Sequence, residues 1–270
     1  MKTAISATLL GVLTLAAAPA SQAQEWAGPY VGAQAGAGFQ RNKDKESIRF
    51  DTDLNGASGN QVNNAAGANA FSPGFCNGAA TTPNTGCRKH DGGFEFGGRV
   101  GYDWQFGSIV VGAVGEATRT QVQDSVTAFS TTPAAYTMTR ELDGLLAARA
   151  RVGFARGRNL PYVTGGYARG KIDRQFSTTN TANTFAARGG GKSADGWQLG
   201  AGVERRLTQQ VSLGVEYLYT NLKDDGYRVR ASGGPAGGPF TAANPSGTDF
   251  SRSQEHFKVQ AVRMTAAYRF

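Results

Sequence analysis

After residue 23 the chain has no apolar run long enough to cross a bilayer as a helix, which needs about 20 apolar residues. This absence excludes a helical membrane protein. Histidine is almost absent, with two in 270 residues, so a site that needs several imidazole ligands is not expected and we predict no metal or cofactor. A secreted soluble protein and a transmembrane β-barrel remain, because barrel strands are short and alternate apolar with polar residues.

The first 23 residues have the layout of a secretory signal peptide. Lys2 supplies a positive charge, an apolar stretch covers 9–18, and the motif SQA at 21–23 is a small-x-small cleavage site. We expect cleavage after residue 23, which leaves one mature domain at 24–270. For an exported chain, the net charge of +8 favours membrane lipid and lipopolysaccharide phosphates as partners, and not nucleic acid.

Cysteine is scarce too. The two cysteines, Cys76 and Cys87, lie in a segment rich in Gly, Asn and Thr. Export implies an oxidising compartment, in which such a pair is most simply a loop disulfide. We predict a Cys76–Cys87 disulfide. A metal site that also uses His90 is the alternative, but no fourth ligand follows at zinc-like spacing.

The segment 94–106 alternates strictly between apolar and polar side chains. Its even positions include Phe94 and Phe96, and its odd positions include Glu95 and Arg99. Since successive side chains of a strand point to opposite faces, one face is aromatic and the other is charged. A soluble sandwich could bury such an aromatic face, so the number of strands and their connections must decide between the two folds.

Eight segments carry this two-residue period, although glycines in the fifth leave its faces unassigned. They are 30–39, 94–106, 109–118, 142–155, 160–172, 197–206, 211–222 and 256–270. Aromatic side chains cluster near the strand ends, as in the interfacial girdles of membrane barrels. The set includes Trp104, Phe106, Tyr268 and Phe270 at one end and Phe94, Tyr217 and Tyr219 at the other.

The connections alternate between tight turns and long polar loops. The tight turns are 107–108, 156–159 and 207–210, and the long loops are 40–92, 119–141, 173–196 and 223–255. Outer-membrane barrels have short periplasmic turns and long extracellular loops, whereas a soluble sandwich has no reason for this alternation. We therefore predict an all-β fold: an eight-stranded antiparallel up-and-down transmembrane β-barrel. Its first strand must pair with its last, because lipid excludes open sheet edges.

Six ordered motifs resemble the small outer-membrane β-barrel superfamily, and especially its "porin family" surface antigens with an OmpA-like transmembrane barrel. They are GPYVGAQAG at 28–36, RVGYDWQ at 99–105, RARVGFA at 149–155, LPYVTGG at 160–166, GWQLGAGVE at 196–204 and VEYLY at 215–219. The ending Tyr268-Arg269-Phe270 looks like the signal that such barrels present to the barrel assembly machinery. The resemblance implies a location in the cell outer membrane. Because the chain ends with its last predicted strand, we expect no peptidoglycan-binding domain.

An eight-stranded barrel has an interior that its own side chains about fill. The two-residue period sends five acidic and five basic residues into that interior. They are Glu95, Arg99, Asp103, Glu116, Arg149, Arg151, Glu204, Glu216, Arg263 and Arg269. Unpaired charges in a confined interior are costly, so we predict that they pair and plug the barrel. The alternative is a narrow gated path for water and small ions.

The function that these features favour is a monomeric, non-enzymatic envelope protein whose long loops carry surface interactions. The resemblance does not specify an activity, because the superfamily includes envelope-stabilising proteins, haemin binders and adhesins. The alternatives are therefore a narrow porin, an adhesin, or a haemin-binding protein. Haemin ligands would come from positions that we interpret as solvated loop residues, namely His90, His256, Tyr136 and Tyr227.

Catalysis would need a nucleophile and a base near the outer rim. The best candidates are Ser251 or Ser253 together with the adjacent pair Glu255-His256. No spacing in this segment defines a triad, and we predict that the chain is not an enzyme.

Overall fold

The structure is a computed structural model that describes residues 26–40, 46–83, 86–88, 92–235 and 237–270. The predicted signal peptide lies outside these residues. Eight strands of the described chain surround one interior. They are β1 (Gly28–Phe39), β4 (Gly93–Phe106), β5 (Ile109–Ser130), β6 (Ala134–Phe154), β7 (Asn159–Thr178), β9 (Ser193–Arg206), β10 (Val211–Lys223) and β13 (His256–Arg269). Five shorter strands lie in the long connections. They are β2 (Ile48–Asp51), β3 (Gly74–Cys76), β8 (Thr184–Gly189), β11 (Tyr227–Ser232) and β12 (Thr248–Arg252).

The eight long strands close into a barrel. Their hydrogen-bonded order is β4-β1-β13-β10-β9-β7-β6-β5, and β5 pairs with β4 to complete the ring. Each of these pairs is antiparallel, and the first strand pairs with the last from Tyr30↔Arg269 to Phe39↔Gln260. The predicted fold class is confirmed. No helix in the described part of the chain is long and apolar enough to cross a membrane.

The outer face of the barrel is apolar and its inner face is polar. On β4 the side chains of Phe96 and Val100 are 55% and 59% exposed, whereas Glu95 and Arg99 are 6% and 5% exposed. The alternation follows from the pleat, which sends successive side chains to opposite faces. An apolar belt without protein cover is the surface that a lipid bilayer solvates.

The prediction of a loop at 119–141 is wrong. β5 and β6 continue through this segment as one paired hairpin, as in Asp124↔Arg140 and Thr127↔Thr137. Several consecutive side chains in this segment are polar, so it lacks the apolar alternation that is typical of a membrane strand and was predicted to be a loop. Beyond the membrane a strand needs no apolar outer face, and pairs such as Thr127 Oγ1 with Thr137 Oγ1 at 2.9 Å link the two strands.

The other long connections also fold. A second sheet, ordered β2-β12-β11-β8, packs on the extended ends of β5, β6 and β7 and forms with them a small sandwich, which we call the cap. The cap encloses a buried cluster. Its members are Ile48, Phe50, Val62, Ala70, Phe71, Val126, Ala128, Tyr136, Met138, Val229, Ala231, Phe240 and Phe250. The described parts of the long connections thus share one buried apolar cluster.

A β-bulge changes the faces of β6. The register of β5 with β6 shifts between Arg119 and Val122, and the register of β6 with β7 shifts between Leu142 and Gly144. Strict alternation assigns Leu142 to the lipid side and Asp143 to the interior, and both assignments are wrong. Leu142 is 2% exposed inside the barrel, and Asp143 lies outside, where its carboxylate accepts from Lys171 Nζ at 2.7 Å. An extra residue in one strand reverses the faces beyond it.

Candidate functional site

The candidate site is the barrel interior, which the inward positions of the strands fill in layers. Along β10, from the periplasmic end outwards, the buried residues include Ser212, Glu216, Thr220 and Leu222, and the buried Asp224 directly follows the strand. On the neighbouring strand β9, Glu204, Gln198 and Ala194 give the same outward order of ionic, neutral polar and aliphatic groups. Each layer therefore draws side chains from several strands.

The layer nearest the periplasm is a ring of two arginines and two acids. Arg151 donates from Nε to Asp103 Oδ1 at 2.8 Å and from Nη1 to Glu204 Oε2 at 2.9 Å. Arg269 donates to Asp103 Oδ2 at 2.7 Å and to Glu204 Oε1 at 3.1 Å. Both guanidinium groups lie over the ring of Tyr30, at 5.0 and 4.8 Å from its centroid. Charge is balanced within this layer.

The next layer is centred on two carboxylates, Glu116 and Glu216. Arg263 donates to Glu116 Oε2 at 2.6 Å and to Glu216 Oε2 at 2.7 Å. Arg149 and Arg99 reach the same two oxygens at 2.7 to 3.4 Å. These five side chains are 0% to 3% exposed. We call this group the central cluster.

Two members of the interior lie at the border of this cluster. Glu95 is within 3.8 Å of Arg263 Nη1, so the ten charged residues of the sequence analysis all face one interior. Tyr162 donates its hydroxyl to Glu216 Oε1 at 3.0 Å. Tyr162 is not among the predicted interior residues, because the glycines of its segment obscured the faces of the strand. Its position two residues after Leu160, which is also buried, was the available signal.

Above the central cluster the interior loses its charge. Gln34 donates to Thr118 Oγ1 at 3.0 Å and Gln198 to Thr220 Oγ1 at 2.8 Å. An aliphatic layer follows. It contains Val122, Leu142, Leu145, Ala147, Ala168, Ile172, Ala194, Leu222, Phe257 and Val259. Sequence reasoning did not find this layer, since several of its residues lie beyond the predicted strand ends or behind the β-bulge.

A second ionic group joins the barrel mouth to the cap. Arg140 on β6 donates from Nε to Asp124 Oδ2 at 2.9 Å and from Nη1 to Asp224 Oδ2 at 3.3 Å. Arg252 of the cap donates to Glu46 Oε2 at 2.6 Å and to Asp124 Oδ2 at 2.8 Å. Burial opposes the charge of Arg252, but the nearby carboxylates of Asp124 and Glu46 outweigh it and raise the pKa of the guanidinium. Both arginines lie in segments that were predicted to be loops, so this ionic group was not predicted.

The remaining predicted site residues lie at the two ends of the molecule. Cys76 and Cys87 form a disulfide with a Cα–Cα distance of 5.8 Å, and Cys76 pairs with Thr127 at the edge of β5. At the other end, the rings of Tyr268 and Phe270 lie 5.3 Å apart, and the two residues are 40% and 73% exposed. His90 lies outside the described residues.

The structure does not bring the outer-rim serines and His256 into a triad. His256 Nδ1 lies 2.8 Å from Asn221 Oδ1, whereas Ser253 Oγ accepts the backbone N–H of Ser47 at 2.9 Å. Ser251 Oγ lies 3.0 Å from Ser58 Oγ. Within the described ranges, no group of three or more His, Cys, Asp or Glu residues could hold a metal ion.

The interpretation of Tyr136 and Tyr227 as solvated loop residues is wrong. Tyr136 is 2% exposed inside the aromatic cluster of the cap. Tyr227 packs against the same cluster and is half-buried, and burial raises the pKa of its hydroxyl. Their aromatic rings contribute to the cap core instead of facing an external ligand.

Comparison with known proteins gives the same assignment as the geometry. The model of a family described as "Outer membrane protein beta-barrel domain" matches residues 8–270. The 31 kDa outer-membrane immunogenic protein of Brucella melitensis is 34% identical over 133 residues, which are 48% of this chain and 55% of that protein. The 25 kDa outer-membrane immunogenic protein of Brucella canis is 30% identical over 148 residues, which are 55% of this chain and 61% of that protein. The matched part thus spans less than two thirds of either relative.

Among solved structures, the outer membrane protein OprG from Pseudomonas aeruginosa is similar to this chain with a TM-score of 0.48 and 12% sequence identity. The alignment covers 90% of this chain and 97% of that chain.

Proposed function

We propose a function from one established premise: the chain belongs to the outer membrane protein β-barrel family, and it is a protein of the outer membrane. We infer that it is a closed barrel that supports the envelope, and that its cap is the surface for interactions outside the cell. Its lumen is plugged by charged side chains, and we assign it no catalytic role.

The central cluster carries this proposal, because its contacts run across the lumen. Arg149 on β6 and Arg99 on β4 both reach Glu216 on β10, and each of these strands is separated from β10 by two others in the ring. An aqueous path would need hydrated charges along the wall. Here the charged groups form ion pairs with one another, and the aliphatic layer above them offers water no polar partner.

The cap supports the second half of the proposal. Its aromatic core holds the connections of the barrel in one conformation, and polar turns such as the exposed stretch near Asn55 and Gln61 lie on its surface. Variable polar turns on a rigid framework are a common recognition surface. The two Brucella relatives are named as immunogenic outer-membrane proteins, and we propose a comparable surface exposure for this cap.

Planar-bilayer recording tests the closed lumen. The refolded mature chain should give little or no conductance, and Arg149→Ala should conduct more because the plug loosens. Arg169→Ala is the matched control, since this arginine is exposed on β7 and lies outside the lumen. Large and stable conductance of the unaltered chain would overturn the proposal and favour a narrow porin.

We also propose that Tyr268 and Phe270 form the signal for the barrel assembly machinery. Deletion of Phe270 should lower the amount of protein in the outer membrane. Phe106→Ala is the control, because Phe106 is a periplasmic-end aromatic that is 63% exposed and is far from the C-terminus in the sequence. Equal losses for the two variants would mean that the girdle, and not a terminal signal, determines the level.

A further inference from the structure

Two arginines and an asparagine lie side by side on the lipid-facing side of the barrel at its periplasmic edge. Asn159 bridges to Arg156 on one side and pairs with Arg205 on the other. All three side chains are exposed. We call this row the arginine rung (Arg156, Asn159 and Arg205).

The rung lies at the boundary of the apolar belt. Phe154 precedes Arg156 by two residues and Val203 precedes Arg205 by two residues, and both are 51% exposed on the outer face. Because side chains two residues apart in a strand share a face, Arg205 continues the lipid-facing row of β9 towards the periplasm. Arg156 lies just beyond the end of β6 and is aligned with Asn159 by their bridge. The two guanidinium groups thus lie next to lipid-facing apolar side chains, on their periplasmic side.

The charge of the rung is not neutralised by the protein. In the described part of the chain, no acid forms an ion pair with Arg156, Arg158 or Arg205, and the nearby acids Asp103 and Glu204 face the lumen, where they pair with other arginines. Arg158, in the same turn, is also exposed and adds a further positive charge.

The opposite side of the same edge is different. There the strand ends carry exposed aromatic and aliphatic side chains. These include Trp104, Phe106 and Tyr268. Aromatic groups alone are enough to anchor a barrel at the interface. The concentration of arginines on the β6–β7–β9 side therefore needs another explanation.

The spacing suits a phosphate group. Neighbouring strands are about 4.8 Å apart, so the backbones of Arg156 and Arg205 are separated by roughly 10 Å. Two long side chains can close this gap onto one anion, with the amide of Asn159 between them as a further donor. Guanidinium groups bind phosphate oxygens in pairs of hydrogen bonds, and such charge-assisted bonds are strong.

We propose that the arginine rung binds the phosphodiester headgroup of an anionic phospholipid in the periplasmic leaflet, with the lipid's acyl chains along Phe154 and Val203. The inference does not depend on whether the lumen conducts. It identifies a lipid site from charge and register on one sector of the barrel wall.

Native mass spectrometry of the delipidated, refolded protein in neutral detergent tests the site. Phosphatidylglycerol should bind more tightly than phosphatidylcholine. The double variant Arg156→Gln/Arg205→Gln should lose this preference, with a fall in affinity of about tenfold, the loss expected from two solvent-exposed ionic contacts. The matched control is Arg169→Gln/Lys171→Gln, which removes two exposed charges from the outer edge of β7. A heat-modifiable gel shift confirms that each variant is folded.

Three outcomes would overturn the proposal. The first is equal affinity for the two lipids, and the second is an equal loss in the control variant. The third is displacement of the lipid by inorganic phosphate, or by soluble anionic peptidoglycan fragments, as readily as by phosphatidylglycerol. That result would show an anion site to which the acyl chains contribute nothing.

Discussion

The barrel and the cap share strands, but the inward-facing side chains are polar in the barrel and apolar in the cap. Within the membrane span, the inward face of β5 carries Glu116 and Thr118, and its outward face carries Val111. Beyond the span, the inward face carries Val126 and Ala128. One strand thus has a polar interior in lipid and an apolar interior in water. The surrounding solvent, and not the strand, decides which face must be apolar.

The two interiors are stabilised by different forces. The barrel removes apolar surface from water by facing lipid, and its buried charges offset their desolvation only through mutual pairing. The cap buries aromatic rings against one another, as in the edge contact of Phe50 and Phe250 at 4.9 Å. We therefore expect the barrel to be sensitive to loss of a charge and the cap to be sensitive to loss of volume.

The largest effect is expected in the central cluster. Arg149→Ala leaves Glu116 and Glu216 with one cation fewer in a confined interior. Breaking a buried pair typically costs about 3–5 kcal/mol, so the urea midpoint of the barrel in micelles should fall clearly. Arg169→Ala should leave the midpoint almost unchanged, because exposed ion pairs contribute little. An unchanged midpoint for Arg149→Ala would mean that water already screens the cluster.

A cap substitution should separate the two units. Phe250→Ala removes a fully buried ring from the aromatic cluster and should destabilise the cap by about 3–5 kcal/mol. Limited proteolysis should then cut the outer connections, while the barrel keeps its heat-modifiable gel shift. Simultaneous loss of the gel shift would show that the barrel depends on the cap.

The disulfide should matter less. Cys76→Ser frees the segment between β3 and residue 87, and a crosslink of this size contributes at most about 3 kcal/mol. The expected result is faster proteolysis near β3 with an unchanged urea midpoint of the barrel. Failure of Cys76→Ser to fold into micelles would contradict a local role.

The smallest effect compares two valines. Val229 is 1% exposed in the cap core and Val262 is 46% exposed on the lipid face. Val262→Ala should cost about 1 kcal/mol, since it loses transfer energy but lipid fills the space. Val229→Ala should cost about 2 kcal/mol, because a cavity remains. Urea unfolding measures the loss of barrel stability in Val262→Ala, and proteolytic susceptibility measures the loss of cap stability in Val229→Ala. Equal losses of stability would mean that the cap core is loosely packed.

Much of the barrel could be predicted from short segments. The ten charged residues assigned to the interior all face it, because a two-residue period is visible within a single strand. Their partners could not be predicted in the same way. Arg99 and Arg149 both contact Glu116 and Glu216. The contacts with Glu216 join β4 and β6 to β10, and these strands are distant from β10 in sequence and in the ring.

The cap shows where sequence reasoning stops. The segments around Phe50, Tyr136 and Phe250 have no long apolar alternation, and each is too short to bury its own aromatic ring. Their aromatic rings are buried only when the connections pack together above the barrel. Contacts between separate segments are not visible in the residue pattern of any one segment.

The strand periodicity, the polar interior, the apolar belt and the short periplasmic turns follow from the sequence, because each depends on residues close together in the chain. The β-bulge that turns Leu142 inwards, the folding of the connections into a cap and the arginine rung became visible only in the folded chain. These features depend on register between strands, and register is set by long-range pairing and packing.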